Sequence, residues 1–233
     1  QGPDMTRPQL PTLSAMRYDG PFPLARAGII RARSFADGTT DTGGARADFT
    51  PPPTPIREDF ESATPGVPPP QAVTQEDDKL TRYQARVTRE QSSSGRQSLK
   101  FTDGPGQSLP FTPHVYDRCR YTDGIARGRF SILLSDSASC YYQWREYSRN
   151  YVTGPAVTIL PQGRLVHQGR HLAHLPLDQW IEFQLSCHLG DQSNGTFELR
   201  VDFPGNSQPL LFKNLEHSIA FQSLNWFGFV SKA

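Results

Sequence analysis

The stretch Tyr141-Tyr142-Gln143-Trp144-Arg145-Glu146-Tyr147 packs aromatic rings beside an amide, a guanidinium and a carboxylate. Aromatic faces cover the apolar C–H patches of sugar rings, and planar donors and acceptors meet hydroxyls, so such a strand has the chemistry of a glycan site. On a strand, Tyr142, Trp144 and Glu146 share one face, and Tyr141, Gln143, Arg145 and Tyr147 share the other. One face of a sandwich strand must be core, so Tyr142 and Trp144 serve equally as packing. Upstream, His114, Tyr116, Arg118 and Arg120 alternate with Val115, Asp117 and Cys119. If that segment lies beside the Tyr141 strand, His114, Tyr116, Arg145 and Tyr147 line one concave site. The candidate ligand-binding set is therefore His114, Tyr116, Tyr142, Trp144, Arg145, Glu146 and Tyr147, with no catalytic residue assigned.

Other chemistry is sparse. His167, His171 and His174 suggest a metal, but alternation places His167 and His171 on one face and His174 on the other, with Gly169 turning the chain. A surface hairpin carrying histidines is the expectation, since a tetrahedral site needs convergent ligands. The chain has neither a Gly-rich phosphate loop opening a helix nor a Gly-x-Ser-x-Gly elbow. Asn194-Gly195-Thr196 fits a glycosylation tripeptide, but Asn-Gly between two strands reads as a hairpin turn.

The elements that must position these residues are strands. Ala126, Phe130, Ile132 and Leu134 oppose Arg127, Arg129 and Ser131; Ile181, Phe183, Leu185 and Cys187 oppose Trp180, Glu182, Gln184 and Ser186; Phe197, Leu199, Val201 and Phe203 oppose Glu198, Arg200 and Asp202. Tyr83, Ala85 and Val87, then Leu99 and Phe101, repeat the pattern. A helix would scatter these apolar residues around its circumference, whereas a strand gathers them on one face. Further strands are expected at Glu58–Ser62, Cys140–Tyr147, Ala156–Leu160, Leu165–His167, Leu210–Lys213 and Leu224–Val230. The expected fold is all-β, two antiparallel sheets packed face to face, with no helix. Two more strands, Gly28–Phe35 and Gly44–Phe49, precede the proline clusters at Thr50–Pro55 and Pro65–Pro70, which puts a domain boundary near Ile56.

Composition agrees: 21 Pro, 19 Gly and 14 Phe in 233 residues suit short strands joined by turns. A net charge of +1 supplies no broad field for nucleic acid, and no run approaches the roughly 20 apolar residues of a membrane helix, so neither nucleic acid nor membrane insertion is expected. Gln1–Leu10 lack the pattern of a signal peptide, as a mature or excised segment would. Cys119, Cys140 and Cys187 cannot all pair within one chain; a Cys119–Cys140 disulfide is one option and buried free thiols the other.

The run Met16-Arg17-Tyr18-Asp19-Gly20-Pro21-Phe22, followed by Ile29-Ile30-Arg31-Ala32-Arg33-Ser34-Phe35, resembles the later half of the fibronectin-type-III-like module at the C-terminus of chitobiase and β-hexosaminidase. That implies a partial small β-module over 1–49, beginning inside a domain, then a proline-rich linker over 50–56. The order "EDFES", "SGRQSLKFTDGPG", "YYQWREY", "LPLDQWIEFQLSCHLG", "GTFELRVDFPG" and "WFGFVS" over 57–233 resembles concanavalin-A-like or laminin-G-like jelly-roll modules of large secreted bacterial polysaccharide-active proteins. The resemblance implies a jelly-roll sandwich acting as a non-catalytic, lectin-like accessory module, secreted or at the cell surface. Its implied partners are a polysaccharide or glycan and the upstream domains of a parent protein. It also implies a structural calcium where the first strand meets the last, for which Asp59, Glu61 and Asp103 are the candidate ligands. The alternatives are a structural spacer without ligand, and a jelly-roll polysaccharide lyase or hydrolase in which Arg neutralises a uronate carboxylate and His or Tyr moves a proton.

Overall fold

The computed structural model describes residues 15–20, 28–34, 44–49, 54–147 and 151–232. The chain divides into two units, Gln1–Pro55 and Ile56–Ala233, at the first proline cluster.

In the first unit, β1 (Gly28–Arg33) and β2 (Gly44–Phe49) form an antiparallel hairpin running from Gly28 opposite Phe49 to Arg33 opposite Gly44. The expected turn Ala36-Asp37-Gly38, and Phe35, lie outside the described residues.

The second unit is all-β. Its strands are β3 (Val73–Gln75), β4 (Gln84–Thr88), β5 (Ser98–Thr102), β6 (His114–Tyr121), β7 (Gly124–Leu133), β8 (Cys140–Glu146), β9 (Val152–Leu160), β10 (Arg164–His167), β11 (Arg170–His174), β12 (Trp180–Leu189), β13 (Thr196–Asp202), β14 (Leu210–Glu216) and β15 (Leu224–Ser231). The only helical pieces among the described residues are single 3-10 turns at Pro161–Gly163 and Gly190–Gln192. A seven-stranded sheet in the order β11-β10-β9-β8-β15-β6-β3 and a four-stranded sheet in the order β14-β13-β12-β7 form a sandwich. β4 and β5 make a separate hairpin.

Outside the β4–β5 hairpin, which holds Ala85, Val87, Leu99 and Phe101, the alternating residues are the inward faces of the two sheets. Ile181, Phe183, Leu185 and Cys187 of β12 and Phe197, Leu199 and Val201 of β13 are buried, and they join Val157, Ile159, Leu165, Tyr142 and Trp144 of the facing sheet in one core. Phe130 stacks on Phe183 with centroids 5.0 Å apart, and meets Phe229 edge-on at 4.8 Å. The first pair is cross-strand within the four-stranded sheet, and the second ties the two sheets together where β7 lies over β15.

One glycine shapes the interior. Gly128 interrupts the apolar run of β7, and a Cβ there would lie 2.7 Å from the Trp144 ring. The missing side chain is the recess that admits the indole. The Trp144 Nε1–H donates to the Tyr142 hydroxyl at 2.8 Å, so the polar atoms of these two buried rings satisfy each other.

Glu58–Ser62 is not a strand. Glu58 accepts the Phe60 N–H at 2.7 Å, Asp59 accepts the Glu61 N–H at 3.0 Å, and Phe60 sits at φ 63°. Each carboxylate bonds the backbone two residues on, which closes a bend instead of leaving donors for a ladder. The three cysteines are free thiols, and burial pushes Cys119, Cys140 and Cys187 each up to about 12.

Candidate functional site

The His114 segment does not adjoin the Tyr141 strand: β15 lies between them, pairing β6 on one side and β8 on the other. Strand order is set by long-range pairing, which alternation in β6 and β8 does not encode. The registers nevertheless bring the outward residues of the three strands into rows. Trp226 stands between Arg118 and Arg145, Gly228 between Tyr116 and Gln143, and Val230 between His114 and Tyr141. Directly opposed residues share a face about 5 Å apart, so these rows make one surface on the outer side of the seven-stranded sheet.

Trp226, 4 % exposed, is the buried centre of these rows. Tyr116 stacks on it with centroids 5.3 Å apart and planes 28° apart, and His114 lies 5.3 Å away and 5.0 Å from Tyr116. The Arg145 guanidinium carbon sits 3.8 Å from the Trp226 centroid and 4.7 Å from that of Tyr151. Its Nε–H donates to Gln143 Oε1 at 2.7 Å, and the Tyr151 hydroxyl donates to the same oxygen at 3.2 Å. Gln143 is fixed in turn by donating to Thr153 Oγ1 at 3.2 Å. Tyr147 and Tyr151 meet edge-on at 5.5 Å and are both exposed.

The electrostatics are unusual for buried groups. His114 is 6 % exposed, and neither ring nitrogen has a hydrogen-bond partner. Burial, and secondarily the positive charge of Arg145, hold its pKa down at about 4, so the ring is neutral at pH 7. Burial also raises the Tyr151 phenol, against the pull of Arg145. Asp117, on the opposite face of β6 from His114 and Tyr116, is raised by burial and then by Glu58.

Gly228 lets the rows close up. A Cβ there would lie 2.6 Å from Tyr116 Cβ and 2.7 Å from the Val115 carbonyl oxygen, and neither can swing aside. Gly228→Ala is expected to cost about 1–3 kcal/mol and to change Trp226 fluorescence. Urea unfolding followed by fluorescence checks both.

Of the sequence candidates, His114, Tyr116 and Arg145 share this surface, and Tyr147 flanks it through Tyr151. Tyr142 and Trp144 do not: both point into the core, because Gly128 offers the indole a recess there. Glu146 is at the end of β8, where Oε2 accepts the Gln222 and Ser223 N–H groups at 3.1 Å each and anchors the approach to β15. Trp226 and Tyr151 were not foreseen. Leu224–Val230 read as a strand, but its outward aromatic could be recognised only with the neighbours known, and Tyr151 precedes β9.

The three acidic candidates for calcium do not converge. Asp59 closes its bend, and Glu61 accepts the Arg96 and Gln97 N–H groups at 2.7 and 2.8 Å, at the Thr88–Ser98 end of the β4–β5 hairpin. Asp103 follows the opposite end and accepts the Gly104 N–H at 2.6 Å. The histidine hairpin exists as β10–β11, but a bulge at Leu165/Val166 alters the expected alternation: His171 and His174 rings lie 4.7 Å apart, and His167 turns inward against Phe197. Among the described residues no group of His, Cys, Asp or Glu has an arrangement that could hold a metal ion.

No protein-family model, no curated protein and no solved structure matches the chain.

Proposed function

We propose that Ile56–Ala233 is a non-catalytic, lectin-like carbohydrate-binding module of a larger exported polysaccharide-active or cell-surface protein, and that the glycan lies across the outer face of the seven-stranded sheet. The observation that carries this reading is the pair of exposed rings Tyr147 and Tyr151 beside the Arg145 guanidinium, backed by the buried Trp226 on which Tyr116 stacks. Exposed rings of this kind cover sugar C–H faces, while the guanidinium and amide meet hydroxyls. The rings are held by the sheet and by the Gln143 network, so little side-chain freedom is lost on binding.

Affinity electrophoresis through gels containing polysaccharides tests the reading. Tyr151→Ala is expected to weaken retardation by a bound glycan about tenfold, equivalent to about 1.4 kcal/mol, without altering the fold, because Tyr151 is 54 % exposed. Unchanged mobility on every glycan leaves the module a structural spacer.

A second reading, a glycan lyase, is favoured by one observation: the exposed Tyr151 phenol stands beside the Arg145 guanidinium. Those groups can move a proton and neutralise a carboxylate. Ultraviolet-absorbing unsaturated products from an acidic polysaccharide would establish it, and their absence would remove it.

A further inference from the structure

We infer that the outer face of the seven-stranded sheet is built for an acidic glycan, one whose carboxylate or sulfate group is received by Arg145 with Arg118 beside it. The inference rests on the glycan-binding reading and names the ligand class for the same surface.

Arg145 is 8 % exposed, yet no carboxylate among the described residues lies within ion-pair distance of it. Its only protein hydrogen bond among them is from Nε to Gln143, which leaves the Nη hydrogens without an acceptor. The Nη atoms are not among the buried unpartnered atoms, so this edge opens to solvent while the Trp226 and Tyr151 rings cover the guanidinium. The neighbouring carboxylates are committed elsewhere: Glu146 holds backbone N–H groups, and Asp117 is on the other face of its strand.

The geometry is that of a receptor. Trp226 and Tyr151 both contact the guanidinium, and Gln143 fixes its Nε side, so the Nη side is the one left to meet a ligand. That edge matches a carboxylate or sulfate with two parallel hydrogen bonds. Arg118, the cross-strand neighbour of Trp226 on its other flank, is exposed and adds a second positive charge to the same row.

The test uses the whole chain in affinity gels containing polygalacturonate, the same polymer after carboxyl reduction, or dextran sulfate. Each gel is run for the wild type, Arg145→Lys and Arg118→Ala, with thermal melts of all three. Polygalacturonate is expected to retard the wild type, its reduced form at least tenfold less, and each variant to lose about tenfold in affinity. Retardation by dextran sulfate alone, lost in the same variants, also supports the inference and assigns the group as sulfate. Equal retardation by polygalacturonate and its reduced form overturns the acidic ligand and leaves the glycan reading standing. Acidic polymers that bind both variants as they bind wild type overturn it as well. If Arg145→Lys melts early, Arg118→Ala decides, since its side chain is exposed. No retardation on any polymer removes both readings.

Discussion

Trp144→Ala is expected to cost about 3–5 kcal/mol of stability, a large part of the roughly 5–15 kcal/mol that holds an ordinary domain together. The indole is 1 % exposed and fills the recess over Gly128, so its removal leaves a cavity that the two sheets cannot close without sliding. The Tyr142 hydroxyl also loses the Nε1–H that it accepts, and it is buried too deeply for water to replace it. Urea unfolding measures the loss, and Trp144→Phe, which retains most of the volume, should cost clearly less. A loss under about 1 kcal/mol for the alanine variant would contradict the packing described here.

Acidification from pH 7 to pH 4 is expected to remove stability on the order of 3 kcal/mol through His114. An unfolded histidine titrates near 6.5, whereas burial and Arg145 hold the folded ring at about 4. Between those values the unfolded chain binds a proton that the folded chain refuses. Stability from this group is therefore complete above about pH 6.5 and is lost progressively as the pH falls toward 4. His217, also lowered, chiefly by burial, slopes the same way. Asp117, raised, slopes the opposite way near the acid end. His114→Phe isolates the effect: the variant should keep the ring contacts, flatten the profile and be the more stable protein at pH 5. Parallel profiles for the two proteins would show that His114 is not responsible.

Residues whose surroundings are local were legible in the sequence. Ile181, Phe183, Leu185 and Cys187 alternate without interruption, and all are buried in β12. Glu58–Ser62 misled because Phe60 between acidic residues imitates a half-buried strand, whereas the carboxylates bond their own backbone. The candidate site divides along the same line. His114, Tyr116 and Arg145 were recognisable by residue type and alternation. Which aromatic ring would join them depended on a distant pairing: β8 carries aromatic or polar groups on both faces, and only Gly128, on the other sheet, decides that Trp144 turns inward. Trp226 joins them instead because β15 enters between strands that precede it by many residues in the chain. Period-2 patterning selects a face for each strand, but it is silent on the neighbour.

The central place of β15 also bears on how the protein is made. While the ribosome is still upstream of Leu224, β6 and β8 each expose a bare hydrogen-bonding edge, and the nascent sheet consists of separate pieces. Such edges invite pairing with other chains, and contacts that must wait for a late segment form slowly. A translation pause or truncation before Leu224 would thus leave an aggregation-prone intermediate, in which Arg118 and Arg145 are not yet joined in one row.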